Sequence, residues 1–197
     1  MLPGSLLRLA LLAAVLVIAG GCGSAAPTPP PDPAAPCAGA DEQRAPGFYP
    51  DLEALLPTKV AGAAPATRDS GRYCSAETLG SLLEAGIAEL RFAGATWPGE
   101  GETGIALVVY RAPGLTADAV ADSFAVGAGA ARGVTQVHAS ERDVAGRRGI
   151  AITAVSGRRP QTVIIWPATA AETVNVVIGS GEGEDRLEAA VSAFGDR

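Results

Sequence analysis

Hydrophobic residues recur at the spacing of an amphipathic helix in four segments of the chain. The first helix ends at Pro57, which has no amide hydrogen to continue it, and the second runs from an N-cap at Ser75 to Gly86. The third and fourth helices cover residues 116–132 and 184–194. The faces expected to be buried contain Leu52, Leu55 and Leu56; Leu79, Leu82 and Leu83; Val120, Phe124 and Ala128; and Leu187, Val191 and Phe194.

Segments rich in β-branched and apolar residues lie between these helices and predict strands. We expect a weak edge strand at 60–67 and further strands at 87–97, 103–112, 134–144, 149–156, 162–166 and 173–179. The last four are separated by short connections of the kind that join antiparallel hairpins. The order of elements therefore predicts an α+β fold, with one mainly antiparallel sheet of about 5–7 strands and helices packed against it.

The first 21 residues have the pattern of a lipoprotein signal peptide. Arg8 precedes an apolar run, residues 9–20, that is too short to span a bilayer comfortably. The run leads through Ala19 and two glycines to Cys22, an ending that resembles the lipobox of bacterial lipoproteins, although Leu is usual where Ala19 stands. The resemblance implies diacylation of Cys22, whereas the alternative is a freely secreted protein that is cut later, near Ala26.

The segment after Cys22 has the composition of a spacer. Residues 23–36 include six prolines and almost no bulky apolar side chain, so they favour extended polyproline II and cannot form a core. We therefore expect residues 22–45 to comprise the lipidated cysteine and a disordered Pro-rich linker. Residues 46–197 are then a single extracytoplasmic α+β domain.

Cysteine parity predicts one disulfide. Lipidation of Cys22 leaves Cys37 and Cys74 as the remaining pair, in an oxidising compartment. We expect them to be bonded to each other.

Charge and composition argue against nucleic acid as a partner. The 197-residue chain has 15 Lys and Arg against 21 Asp and Glu, a net charge of −6. Nucleic-acid phosphates require a concentrated basic surface, which this balance does not supply.

The sequence contains no pattern that predicts catalysis, a cofactor or a metal site. Residues 99–104, GEGETG, fit the spacing G-x-G-x-x-G, but a strand-like segment follows where a dinucleotide site needs a helix, so we expect a hairpin loop. His138, the single histidine, lies in a predicted strand with no nucleophile elbow in the chain. Glu182, Glu184 and Asp185 lack the spacing of a calcium loop. We expect no catalytic residue, no cofactor and no metal ligand.

The ordered part of the chain resembles a known family. Residues 52–62, with the pattern LEALLPxxVxG, resemble the entry motif of uncharacterised bacterial cell-envelope lipoproteins. A helix with Asp118 and Phe124, the segment 134–153, two closing strands and a last helix follow in an order similar to the Mog1/PsbP-like fold. The resemblance covers residues 48–194.

This resemblance implies a non-enzymatic binding or accessory module on the extracytoplasmic face of a bacterial cell membrane. Its partner would be a protein or another envelope component, and no ligand-binding residue follows from the family. The alternative hypothesis is a carrier of a lipid or other apolar molecule between sheet and helices. Small residues on the third helix motivate it, since small side chains leave room; they are Ala121, Ala125, Gly127 and Ala128.

Replacement of the lipobox cysteine tests the anchor. We expect Cys22→Ser to abolish a diacylglyceryl mass increment on the mature protein and to move the protein from the membrane fraction to the soluble fraction. Intact mass and fractionation of protein from its own cells provide the measurement. A native protein that starts after Cys22 and carries no lipid would contradict the prediction.

Overall fold

A computed structural model of the protein describes residues 32–37 and 43–195, and eight strands in it form one antiparallel sheet in the order β1-β2-β3-β4-β8-β7-β6-β5. The predicted α+β fold with one antiparallel sheet is confirmed, with more strands than the expected 5–7. The elements are β1 (Gln43–Ala45), α1 (Pro50–Glu53), β2 (Thr67–Tyr73), α2 (Ala76–Leu79), α3 (Ser81–Glu84), β3 (Leu90–Pro98), β4 (Gly104–Arg111), α4 (Ala117–Ala130), β5 (Val134–Val144), β6 (Arg147–Ser156), β7 (Arg159–Pro167), β8 (Thr173–Ser180) and α5 (Glu184–Ala193).

The sheet consists of two meanders placed side by side. Strands β1 to β4 form the first and β5 to β8 the second, and they meet where β4 pairs with β8. The segment 99–104 closes the hairpin between β3 and β4, where the Gly99 amide donates to the Thr103 carbonyl over 2.9 Å, as the sequence predicts. The connection from β4 to β5 has to travel from the middle of the sheet to its edge, and helix α4 makes it.

The edge strand predicted at 60–67 is wrong. Val60 forms only an isolated bridge with Ala63, and the strand beside β3 is β2, residues 67–73. The hydrophobic pattern does not reveal β2 because the side chains it buries at positions 70 and 72 are polar. Strand β1, which pairs with β2, lies within residues 22–45, the range that the sequence assigns to the linker.

Ser70 joins β2 to helix α1. Its side chain is fully buried, accepts a hydrogen bond from the Tyr49 amide over 2.6 Å and donates to the Glu53 carboxylate over 2.7 Å. The same carboxylate accepts from the Gly47 amide over 2.7 Å. These partners satisfy a hydroxyl that would otherwise be costly to bury.

Arg72 holds the chain before β1 against the domain. Its guanidinium is 1% exposed and donates to the Ala35 carbonyl over 2.6 Å and to Gln43 Oε1 over 2.8 Å. It also lies 5.9 Å from the centre of the Phe48 ring, a cation–π contact. Residues 32–37 are therefore held against the domain by a residue of β2.

The disulfide joins the same two parts of the chain. Cys37 and Cys74 are bonded, with their Cα atoms 5.5 Å apart, as cysteine parity predicts. Cys74 follows β2 directly, two residues after Arg72. The segment before the sheet is thus fixed by one covalent bond and by the Arg72 hydrogen bonds.

The helix predicted after Ser75 is two short helices. Ser75 caps α2, where its hydroxyl accepts from the Thr78 amide over 3.2 Å. Gly80 then has φ 52° and ψ −129°, a conformation that breaks the helix and favours glycine. The break turns α3, so that Leu82 is buried while Leu83 is 42% exposed. The prediction that Leu83 is buried is wrong for this reason.

Helices cover both faces of the sheet and give two apolar layers. On one face, Leu52 of α1 and Val191 of α5 pack with strand residues that include Leu107. On the other face, Leu79 of α2 and Val120 of α4 pack with the inner residues of β6, β7 and β8. The domain is therefore a helix–sheet–helix sandwich.

Loss of the disulfide should lower stability by constraining the unfolded chain less. For a sequence separation of 37 residues, we expect the Cys37→Ser/Cys74→Ser protein to lose about 3–4 kcal/mol of unfolding free energy. Urea denaturation of the variant and of the native protein measures this loss of unfolding free energy. Reduction of the native protein should give the same loss, and Cys22→Ser should give none; a loss below about 1 kcal/mol in the double variant would contradict a structural role for the bond.

Candidate functional site

Helix α4 is held at its start and is built of small residues along its length. Thr116 caps it by accepting from the Ala119 amide over 3.1 Å, and Asp118 in the first turn suits the positive end of the helix dipole. The helix packs over β5, β6 and β7. Of its apolar side chains, Val120 and Phe124 are large, whereas the second half consists mostly of alanine and glycine. Such a surface cannot fill the space between the helix and the sheet.

A cavity of about 540 Å³ lies in that space, between α4, the α2–α3 pair and the sheet. Its volume is within the range of roughly 300–1,000 Å³ that is typical of small-molecule sites. Its lining is mostly aliphatic or aromatic, and no described residue in it is charged. The cavity is lined by Tyr73, Thr78, Leu82, Leu90, Tyr110, Val120, Ser123, Phe124, Gly127, Ala128, Ala131, Val134, Ile152, Ala154, Gln161, Val163 and Ile178.

Tyr110 brings a phenol into this apolar wall. Nothing in the described part of the chain forms a hydrogen bond with its hydroxyl. Desolvation by burial, with a smaller contribution from Tyr73, raises the pKa of Tyr110 well above its ordinary value of 10.0. The side chain is half-buried and lines the cavity, so the hydroxyl reaches the open space within it. It is therefore a neutral donor and acceptor that the cavity itself leaves available.

The polar groups of the wall are separated along the sheet. Tyr110 is the register partner of Val174 on β8, and Gln161 is the partner of Ser180 on the same strand. These β8 positions are six residues apart, about 20 Å at about 3.3 Å per residue. The side chains between them, which include Ile178, are apolar. The site is thus an elongated apolar channel with a neutral polar group towards each end.

The mouth of the cavity lies between α2 and the second half of α4. Thr78 and Gly127 both line the cavity and are exposed to solvent. The large hydrophobic side chains that stand exposed in the described residues are Leu83, at 42%, and Val126, at 61%. Val126 is the immediate neighbour of Gly127, so apolar surface continues from the channel to the outside of the domain.

Other clefts in the described structure contain paired charges. A cleft of about 500 Å³ beside the start of α4 includes Glu141 and Arg148, which form a 2.7 Å ion pair. A cleft of about 460 Å³ includes Arg111, which pairs with Asp51 over 2.9 Å. The charged side chains in these clefts set them apart from the uncharged channel.

The residues considered for catalysis or metal binding do not gather into a site. His138 is exposed on the edge strand β5. Glu182 pairs with Arg186 over 2.9 Å, and Glu184 pairs with Arg142. Across residues 32–37 and 43–195, no three His, Cys, Asp or Glu side chains are close enough to hold a metal ion.

The predicted lipidation site, Cys22, and the predicted signal peptide lie outside the described residues. Within them, none of the helices has the length and apolar character needed to cross a bilayer.

Comparison with known proteins gives no relative. The chain matches no protein-family model, and neither the comparison with curated proteins nor that with solved structures found a similar protein. The lipoprotein family and the Mog1/PsbP-like fold therefore remain predictions from sequence motifs.

Sequence reasoning identified part of the channel wall. Gly127 and Ala128, two of the small residues noted on the third helix, line it, whereas Ala121 is packed in the core beside it. Tyr110 was not singled out, although it is the one hydroxyl-bearing residue in an otherwise apolar strand, IALVVY. Gln161 gave no such signal, because a polar residue near a hairpin turn is common.

Proposed function

We propose that this domain binds an apolar small molecule or a lipid chain in the channel between α4 and the sheet, and that Cys22 anchors it at the extracytoplasmic face of a bacterial membrane. The observation that carries the proposal is an elongated, uncharged cavity of about 540 Å³. An apolar cavity of this kind offers water few hydrogen bonds, so an apolar ligand replaces solvent favourably.

The channel supports the carrier hypothesis over the hypothesis of a module for a protein partner. Protein interfaces are mostly shallow surfaces with aromatic anchors and a polar rim, whereas small-molecule sites are concave and mainly apolar. The concave surface here is lined by Phe124, Ile152 and Val163 and opens to solvent beside Thr78 and Gly127. The membrane anchor rests on the lipobox resemblance at Cys22.

The proposal describes a binding protein and not an enzyme. Acid–base or nucleophilic catalysis requires a reactive group within hydrogen-bond reach of a base. In the described wall the polar side chains are hydroxyls and one amide, with no carboxylate, histidine or lysine among them. Such groups can orient a ligand through hydrogen bonds, which is the role we assign to them.

Substitution at the mouth of the channel tests the proposal. Gly127 lines the channel, and a Cβ at this position would meet no atom within 4 Å, so the helix accepts a larger residue there. We expect Gly127→Leu to fill the mouth and to weaken binding of the fluorescent probe N-phenyl-1-naphthylamine at least tenfold. Fluorescence titration of the purified protein measures the dissociation constant.

Gly129→Leu is the matched control. Gly129 is in the same helix, has equally open surroundings and does not line the channel. Both substitutions replace a helix-interior glycine, so both should raise the unfolding free energy by up to about 1 kcal/mol. Only Gly127→Leu should lose probe binding. Equal affinities in the two variants, or no saturable binding by the unsubstituted protein, would contradict the proposed function.

A further inference from the structure

We infer that the natural ligand is an uncharged, chain-like lipid with a hydrogen-bond acceptor, such as an ester or a long-chain alcohol, and that the Tyr110 hydroxyl donates to that acceptor. This inference rests on the proposed function and specifies the ligand class for the same channel. It excludes a free fatty acid as the preferred ligand, because its carboxylate would be ionised at neutral pH.

The distribution of charge around the channel favours an uncharged ligand. A buried carboxylate needs a cation or several donors to offset its desolvation, and the described lining provides no cation. Glu77 and Asp122 adjoin the lining residues Thr78 and Ser123 in sequence and are exposed near the mouth. Arg72, Arg91 and Arg111 also adjoin lining residues along the chain, but each already has a protein partner: Gln43, Glu89 and Asp51, respectively. Arg132 adjoins Ala131 and is exposed beyond the end of α4. An anionic head group would therefore be repelled or left unpaired.

The Tyr110 hydroxyl favours a ligand that has a hydrogen-bond acceptor. It faces the channel without a protein hydrogen-bond partner in the described structure. Burial keeps the phenol protonated, since the pKa of Tyr110 is raised by desolvation. A ligand that displaces solvent from this hydroxyl leaves a costly unfilled donor unless the ligand itself carries an oxygen that accepts the hydrogen bond. A hydrocarbon without an oxygen cannot do so.

The length of the channel favours a ligand with a single extended chain. Tyr110 and Gln161 lie about 20 Å apart along β8, with apolar side chains such as Ile178 between them. A compact ring system would leave most of that length empty, whereas a single extended chain occupies it. The acceptor group of the ligand then lies at the Tyr110 end.

Three ligands of equal chain length test the inference. Methyl dodecanoate, dodecanoate and dodecane are titrated at pH 8 against the protein with bound N-phenyl-1-naphthylamine, and displacement of the probe gives each affinity. We expect the ester to bind at least tenfold more tightly than the carboxylate. We expect Tyr110→Phe to weaken ester binding about fivefold, the value of one hydrogen bond, and not to weaken dodecane binding.

Tyr49→Phe is the control for removal of a phenol. Tyr49 carries the same phenol, but it packs in the core on the opposite face of the sheet. Its substitution should change none of the three affinities. Thermal unfolding of both variants checks that each is folded. The comparison of ester with carboxylate uses the unsubstituted protein, so it does not depend on the folding of a variant.

The outcomes separate the inference from the proposed function. Dodecanoate that binds as tightly as the ester would overturn the inference and leave the channel as a binding site. An ester affinity that Tyr110→Phe does not alter would overturn the role of the phenol. No displacement by any of the three ligands would overturn the proposed function itself.

Discussion

The path of the chain from β4 to β5 is the constraint on which the site depends. Strand β4 lies in the middle of the sheet and β5 at its edge, so the connection must cross β8, β7 and β6. A 14-residue helix makes that crossing, and its second half presents alanine and glycine to the sheet. Side chains this small cannot reach the strands beneath, so the space remains open in a protein interior that is otherwise close-packed. The channel is a direct result of a required crossing made with small residues.

The segment 32–37 is fixed to the domain beside this channel. Tyr73 lines the channel, and its two neighbours in sequence are Arg72, which binds the segment 32–37, and Cys74, which forms the disulfide. The disulfide and the Arg72 hydrogen bond thus hold the segment 32–37 at the two residues that flank Tyr73 of the channel wall.

Apolar periodicity predicted the elements that bury apolar side chains and missed those that do not. Strands β3 to β8 and helices α4 and α5 each bury valine, isoleucine, leucine or aromatic residues, and their sequence patterns show it. Strand β2 buries Ser70 and Arg72, whose partners at Glu53 and Ala35 are distant in sequence, so no local pattern reveals it. The only sequence signal of the channel is the set of small residues on α4. The volume of the channel depends on the spacing between helix and sheet, which the sequence does not specify.

The central claim is that an apolar ligand enters between α4 and the sheet, and methyl NMR tests it most directly. Titration with N-phenyl-1-naphthylamine places an aromatic ring near the wall, so we predict saturable shifts for the methyl groups of Ile152, Val163 and Ile178. The methyl groups of Ile105 and Leu107, buried on the opposite face, should keep their positions. Shifts confined to the opposite face, or no saturable shift at the three channel residues, would contradict the account.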